Sequence, residues 1–229
     1  MNISSFTDGV YLIDFEFHPL NCREGNPPVP LCMLVREWPS GSTSRYWISD
    51  LAGMPCAPFP TGEKALCVAY FASAEMDCFH ALGWRRPENL LDLFAEFRCL
   101  KNGMQLPHGN GLLGALLFYG LPSITGEQKE AMRDLILSAG PWNMEQQGQI
   151  MDYCETDVIA LSHLLVAMLK EIDWPRALLR GRYMKAVSCM QMNGIPLDLE
   201  IYGRLLANWY EIQDDLIAEI DSEYGVYEG

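Results

Sequence analysis

Val10-Tyr11-Leu12-Ile13-Asp14-Phe15-Glu16-Phe17 decides how the rest of the chain is read. It is an apolar run of strand length, rich in β-branched and aromatic residues. Side chains alternate along a strand. Val10, Leu12, Asp14 and Glu16 therefore share one face, and Tyr11, Ile13, Phe15 and Phe17 the other. Two carboxylates stand side by side on a face that otherwise belongs in a core. Burying one unpaired carboxylate costs several kcal/mol, and a like charge beside it adds to that. A divalent cation bridging both offsets the cost, because hard oxygen ligands suit Mg²⁺ or Mn²⁺. The competing reading is a strand end whose polar half reaches water.

Outward from this strand, residues 19–28 form a Pro- and Gly-rich loop, and residues 29–36 and 44–48 read as two more strands of a meander. A second Pro/Gly loop, 53–62, precedes a short buried strand at 65–70 and a helix at 73–82. Residues 89–93 read as a short strand or turn, followed by a helix at 94–100. From Gly111 the pattern is helical: 111–119, 126–138 and 143–169, separated by Gly and Pro. Strands first, mixed elements next and helices last predict an α/β or α+β domain of three layers.

Residues 171–175 mark a boundary, with 1–173 as one domain and 174–229 as a helical appendage. A helix over 176–192 ends at Asn193-Gly194, a C-cap signal. A second helix starts after Pro196, with Asp198 as N-cap. It carries Ile201, Leu205, Trp209, Ile212, Leu216 and Ile220 on one face. A stripe of this kind wants a partner, and its position predicts that the sequence is part of a longer polypeptide.

Composition narrows the class. Hydrophobic residues make up 49% of 229, enough for a sizeable core. No apolar run is long enough to span a bilayer, and residues 1–5 lack the features of a signal peptide, which predicts a cytoplasmic protein without membrane association. The eight cysteines contain no Cys-x-x-Cys pair and the four histidines do not cluster, which argues against zinc and for reduced thiols. A net charge of −14 counts against strong independent DNA binding. It leaves room for an enzyme that is handed nucleic acid by a neighbouring domain and holds only its last few nucleotides.

Two further groups of polar residues interrupt apolar faces. Tyr153 and Asp157 are four apart on a helix and share a face with Ile150, Leu161, Leu164 and Met168. They form either a buried Tyr–Asp hydrogen bond or a metal-binding Asp beside a Tyr that orients water. Glu75 and Asp77 begin a helix two residues apart, about 200° around its axis, so one site cannot take both. Glu75 lines up with Phe79 and Leu82, on the face expected to meet the sheet. Asp77 lines up with His80, Ala81 and Trp84. Geometry favours Glu75 as the inward carboxylate, with Asp77 as the alternative; both also suit a helix N-terminus. Gly109-Asn110-Gly111-Leu112-Leu113-Gly114 satisfies G-x-G-x-x-G, but no apolar strand precedes it and no βαβ frame follows, so a helix start is the reading, not a dinucleotide site.

A strand Asp-x-Glu, a carboxylate at a helix start and a helical Tyr-x-x-x-Asp about eighty residues later, in that order, resemble the DEDD exonuclease superfamily. The tyrosine branch of that superfamily includes the proofreading domains of family A DNA polymerases and ribonuclease D. The resemblance covers about residues 8–170. Residues 180–187, followed by Met192-Asn193-Gly194-Ile195-Pro196-Leu197-Asp198, look like the segment that leads a family A polymerase out of its exonuclease domain. The second motif departs from the usual pattern: the expected Asn and aromatic–Asp pairing is absent. Glu75 takes the aspartate's place by its spacing to Phe79 and Gly83.

The resemblance implies a ribonuclease H-like mixed sheet flanked by helices and a metal-dependent 3′→5′ exonuclease. It implies two divalent ions, Mg²⁺ or Mn²⁺, on Asp14, Glu16, Glu75 and Asp157, with Tyr153 orienting the attacking water. It also implies single-stranded DNA 3′ ends or frayed primer termini as substrate and a polymerase domain, in cis or trans, as partner. A ribonuclease D-like RNA exonuclease and a silent binding module are the alternatives.

Overall fold

The computed structural model describes residues 2–19, 27–122, 126–138 and 140–227, so most of the loop expected at 19–28 lies outside the described residues. Five strands form one sheet: β1 (Val10–His18), β2 (Val29–Trp38), β3 (Thr43–Trp47), β4 (Leu66–Ala69) and β5 (Asn89–Asp92), in the order β3-β2-β1-β4-β5. The meander is present, with β1 antiparallel to β2 and β2 to β3. β4 and β5 add in parallel beyond β1. The sheet is therefore mixed, and β1 lies at its centre.

The alternation along β1 divides the core. Val10 and Leu12 are buried with Leu34, Val68 and Leu91 on one face, while Ile13 and Phe15 are buried with Met33, Cys67 and Leu90 on the other. The first face is covered by α6 (Met144–Met168), which contributes Ile150, Cys154, Val158, Leu161 and Leu165. Asn143 and Gln146 start α6 with a reciprocal capping box. The second face is covered by α2 (Ala72–Ala81), through Met76 and Phe79, and by the residues around a short helix, α1 (Ile48–Leu51). The sequence reading carried β3 on to Ile48. Instead Asp50 accepts a hydrogen bond from the Trp47 N–H, 2.9 Å, and turns the chain into α1.

The remaining helices of this unit are α3 (Leu93–Leu100), α4 (Leu112–Phe118), α5 (Gly126–Leu137) and α7 (Trp174–Asn193). The G-x-G-x-x-G run starts α4, as expected, with Gly111 as its N-cap. α7 lies across β5: a Cβ on Gly181 would come within 1.8 Å of the Leu90 carbonyl oxygen, so only glycine permits the approach. Arg180 on α7 forms two hydrogen bonds, 2.5 and 2.6 Å, to the buried carboxylate of Glu96 on α3. These contacts explain why the compact unit runs through Asn193 and not to the boundary read at 173/174. The Trp174-Pro175 start of α7 carries the sequence signature of a break, but the helix it opens packs back on the sheet.

The second unit, residues 194–229, holds α8 (Leu199–Ala207) and α9 (Trp209–Tyr224). Asp198 caps α8 as read, accepting from the Glu200 and Ile201 N–H groups. One continuous helix was expected; the chain breaks at Asn208, whose side-chain amide donates to the Arg204 carbonyl and competes with helix bonding. Ile201, Leu205, Trp209, Leu216 and Ile220 remain exposed.

Candidate active site

β1 and β4 run parallel, with Leu12 opposite Val68. Asp14 and Glu16 therefore lie where β1 continues past the carboxyl end of β4, the end at which open α/β sheets bind ligands. Across the antiparallel pair Asp14 faces Leu34 and Glu16 faces Cys32, with a bulge just after Glu16. The stretch after β4 turns through Tyr70 and Phe71 into α2 and delivers Glu75 to the same region. α6 crosses the sheet with Tyr153, Cys154 and Asp157 directed at β1: the Cys154 thiol donates to Asp14 Oδ2, 3.2 Å. Asp14, Glu16 and Cys154 each bring one ligand atom within 4.8 Å of the others. Asp14 and Asp157 line one cavity of about 320 Å³, together with Tyr70, Phe71, Phe94 and Lys129.

The two candidates on α2 separate as their helix faces require. Glu75 is 4% exposed. The charges of Asp14 and Glu16 act on it directly, and its Oε2 has no hydrogen-bond partner among the described residues. Asp77 turns instead towards α7, where the Ser188 hydroxyl donates to its Oδ1, 2.5 Å, and Arg86 donates to Ser188 in turn. Asp77 is thus satisfied by a second helix, away from the carboxylate cluster.

The electrostatics of the cluster are those of crowded, buried like charges. Burial, then the charge of Asp157, pushes the Asp14 carboxyl up to about 7, against the opposing Cys154 thiol and Lys129 ammonium. Glu16 is raised well above the carboxylate range by burial and by Asp14. Glu75 is raised by burial, Asp14 and Glu16, with a backbone hydrogen bond from Phe15 opposing. Asp157 is raised by burial, while Lys129 and a hydrogen bond from the Tyr153 hydroxyl lower it. The same burial and the Asp157 charge keep the Tyr153 phenol protonated.

Among the described residues, Lys129 and Arg133 of α5 line a cleft with Glu16 and Tyr153. Lys129 Nζ on α5 stands 4.0 Å from Asp157 Oδ2. Two cations cannot neutralise the four carboxylates Asp14, Glu16, Glu75 and Asp157. The dipole of α2 is worth only about 0.3–1 kcal/mol to Glu75, against several kcal/mol for burying it. Four carboxylates, one with an orphaned oxygen, fit hard divalent cations, with the Cys154 thiol engaged as a donor to Asp14. The residues present therefore suit Mg²⁺ or Mn²⁺.

Lys129, Cys154 and Asp92 escaped the sequence reading. Lys129 lies in a helix of mixed polar pattern with no motif to mark it. Cys154 was visible only as one of several scattered thiols. Asp92 ends β5 and accepts backbone N–H groups from Phe94 and Ala95 at the start of α3 and from Phe71 and Ala72 at the start of α2. An Asp at a strand-to-helix junction is a legible cap signal. Its hold on a second helix is not.

No protein-family model matches the chain, and no curated protein sequence matches it. Solved structures do. The apo form of a nuclease superposes with a TM-score of 0.56 at 12% identity, over 83% of this chain and 87% of that one. NrnC of Brucella melitensis bound to pGG superposes at 0.50 with 14% identity, over 84% and 89% of the two chains. The same protein with bound Mg²⁺ gives 0.50 and 14%, over 84% and 90%. At these identities the likeness establishes a shared fold alone, a mixed sheet flanked by helices, and does not single out polymerase proofreading domains.

Proposed function

We propose that this chain is a divalent-metal-dependent 3′→5′ exonuclease that acts on single-stranded 3′ ends of nucleic acid. What supports the reading is the buried convergence of Asp14, Glu16, Glu75 and Asp157 at one end of the sheet, on a fold found in nucleases. The reaction is hydrolysis of the terminal phosphodiester. Water oxygen bonds to phosphorus, the bond from phosphorus to the 3′ oxygen of the preceding nucleotide breaks, and a nucleoside 5′-monophosphate leaves. Two Mg²⁺ or Mn²⁺ ions, held by Asp14, Glu16, Glu75 and Asp157, supply positive charge to the scissile phosphate and lower the pKa of the attacking water.

The chain's own residues supply the rest. The Tyr153 hydroxyl, held against Asp157, orients the water. Glu16 accepts a hydrogen bond from that water. Lys129 presents a charge to the non-bridging phosphate oxygens once the carboxylates are met by metal. The net charge of −14 is compatible with this, because the positive charge is needed only at the site.

Two observations favour different substrates within this class. A structure of like fold carries pGG, which supports short oligonucleotides and a ribonuclease D-like role. The tail around Asn193-Gly194-Ile195-Pro196 supports a DNA end presented by a polymerase domain, in cis or trans. The test is release of nucleotide from 3′-labelled single-stranded DNA and RNA, with Mg²⁺, Mn²⁺ or chelator, by the parent, Asp14→Ala and Asp157→Ala. Metal-dependent release by the parent alone is the expected result, and the faster substrate assigns the sugar. A folded parent that releases nothing from either refutes the reading.

A further inference from the structure

The cavity lined by Asp14 and Asp157 shares part of its wall with another. Phe71 and Phe94, which line it, also line a second cavity of about 710 Å³ between α3 and α7, within the size range of ligand clefts, about 300–1,000 Å³. Arg98 and Asn102 on α3 and Tyr183 and Gln191 on α7 line the same groove. The two spaces thus meet at a pair of aromatic rings, 5.1 Å apart and edge-to-face at 79°.

The structure invests in this pair. Phe71 has φ +66° and ψ +53°, left-handed backbone that glycine adopts freely and a bulky residue only under constraint. The constraint is Asp92, 1% exposed. Its carboxylate accepts N–H bonds from Phe71 and Ala72, both 3.1 Å, and from Phe94 and Ala95, 2.9 and 3.3 Å. One buried side chain fixes the backbone of both aromatic residues. The result is a phenylalanine ring held 45% exposed at the mouth of a cleft, where packing alone would bury it. Arg98 sits over the Phe94 ring, 5.4 Å from its centre, and makes no ion pair among the described residues.

We propose that the α3–α7 groove binds the single-stranded segment on the 5′ side of the scissile phosphate, with bases stacked on Phe71 and Phe94 and a backbone phosphate at Arg98. The proposal rests on the exonuclease reading of the adjoining site and adds a substrate path to it. Exposed aromatic faces interleaved with an unpaired guanidinium are the means by which proteins hold single strands without reading sequence. An exposed cation beside one exposed and one half-buried ring, in a chain of net charge −14, marks this groove for an anion with flat apolar parts. The polar ends of Asn102 and Gln191 fit that ligand better than a purely apolar peptide face.

The experiment compares KM for a dinucleotide and a hexanucleotide of the sugar that the parent cleaves, for the full chain, Phe71→Ala, Arg98→Ala and Phe71→Trp. Binding of the same oligonucleotides in Ca²⁺ is followed by fluorescence anisotropy. Stacking of one base corresponds to roughly 5- to 150-fold in affinity. The expected result is that Phe71→Ala and Arg98→Ala raise the hexanucleotide KM at least tenfold more than the dinucleotide KM, with Phe71→Trp recovering most of the loss. Equal losses at both lengths, or none, overturn the proposal while leaving the nuclease intact. Tighter binding of the hexanucleotide, dependent on Phe71 and Arg98, in a parent that cleaves nothing supports the groove and sinks the nuclease reading. A monomer–dimer shift in Arg98→Ala, without a length-dependent loss, assigns the groove to a second copy and overturns the proposal.

Discussion

Removing one charge from the carboxylate cluster should stabilise the metal-free protein and abolish its activity, and Asp14→Asn is the variant that shows it. The Asp14 carboxyl is raised to about 7 in the folded chain, against about 3.9 in an unfolded one. The folded state therefore holds this proton more tightly than the unfolded state does. Its contribution to stability is complete below pH 4 and is lost as pH rises through 7. A shift of about 3 units corresponds to about 4 kcal/mol. Glu16 and Glu75 are raised by the same charges, so the figure belongs to the cluster and not to Asp14 alone. Asparagine keeps the shape and drops the charge. In chelator at pH 8, urea unfolding followed by tryptophan fluorescence should find Asp14→Asn more stable than the parent by about 2–4 kcal/mol, with the difference shrinking towards pH 5. Mn²⁺ should raise the parent's stability and leave the variant nearly unmoved. A variant less stable than the parent at pH 8 in chelator, or a gap that does not depend on pH, would refute the account of the cluster as crowded charge awaiting metal.

Glu75→Gln should lower the rate by at least about tenfold, because a neutral amide cannot help balance a divalent ion, whereas Asp77→Asn should leave the rate near the parent's; the reverse order in a nuclease assay exchanges their roles. Tyr153→Phe should keep metal-dependent stabilisation and lose about 10²-fold in rate, the size of a positioned proton-transfer group, and full activity in single-turnover assays would remove Tyr153 from the mechanism. Arg180→Ala should cost about 3–5 kcal/mol in a urea melt, because Glu96 is left charged and 1% exposed, while Arg180→Leu combined with Glu96→Leu should recover most of it; equal losses in the single and double variants would deny the ion pair that role. Primer extension by this chain should be undetectable, since its sequence carries no polymerase carboxylate motif, and measurable incorporation would contradict that reading.

Period-2 and period-3.6 patterning carried a large share of the fold. The β1 alternation is local, and it divided the core between two faces as read. The meander, the helix starts at Asn143 and Asp198 and the inward face of Glu75 follow from the same local rules. What escaped was contact between distant segments. The Trp174-Pro175 break reads locally as a domain limit, yet α7 returns to the sheet because Gly181 lets it touch the Leu90 backbone. Lys129 reaches Asp157 from a helix with no motif, and Asp92 binds two helix starts about twenty residues apart in sequence. Backbone geometry and side-chain alternation act over a few residues, so the sequence alone put Asp14 and Glu16 on one strand face and Glu75 and Asp77 on different helix faces, but missed the buried carboxylates of Asp92 and Glu96. Electrostatics and packing act through space, so only the tertiary structure decided which of them meet, which cation joins them, and that an aromatic groove opens beside them.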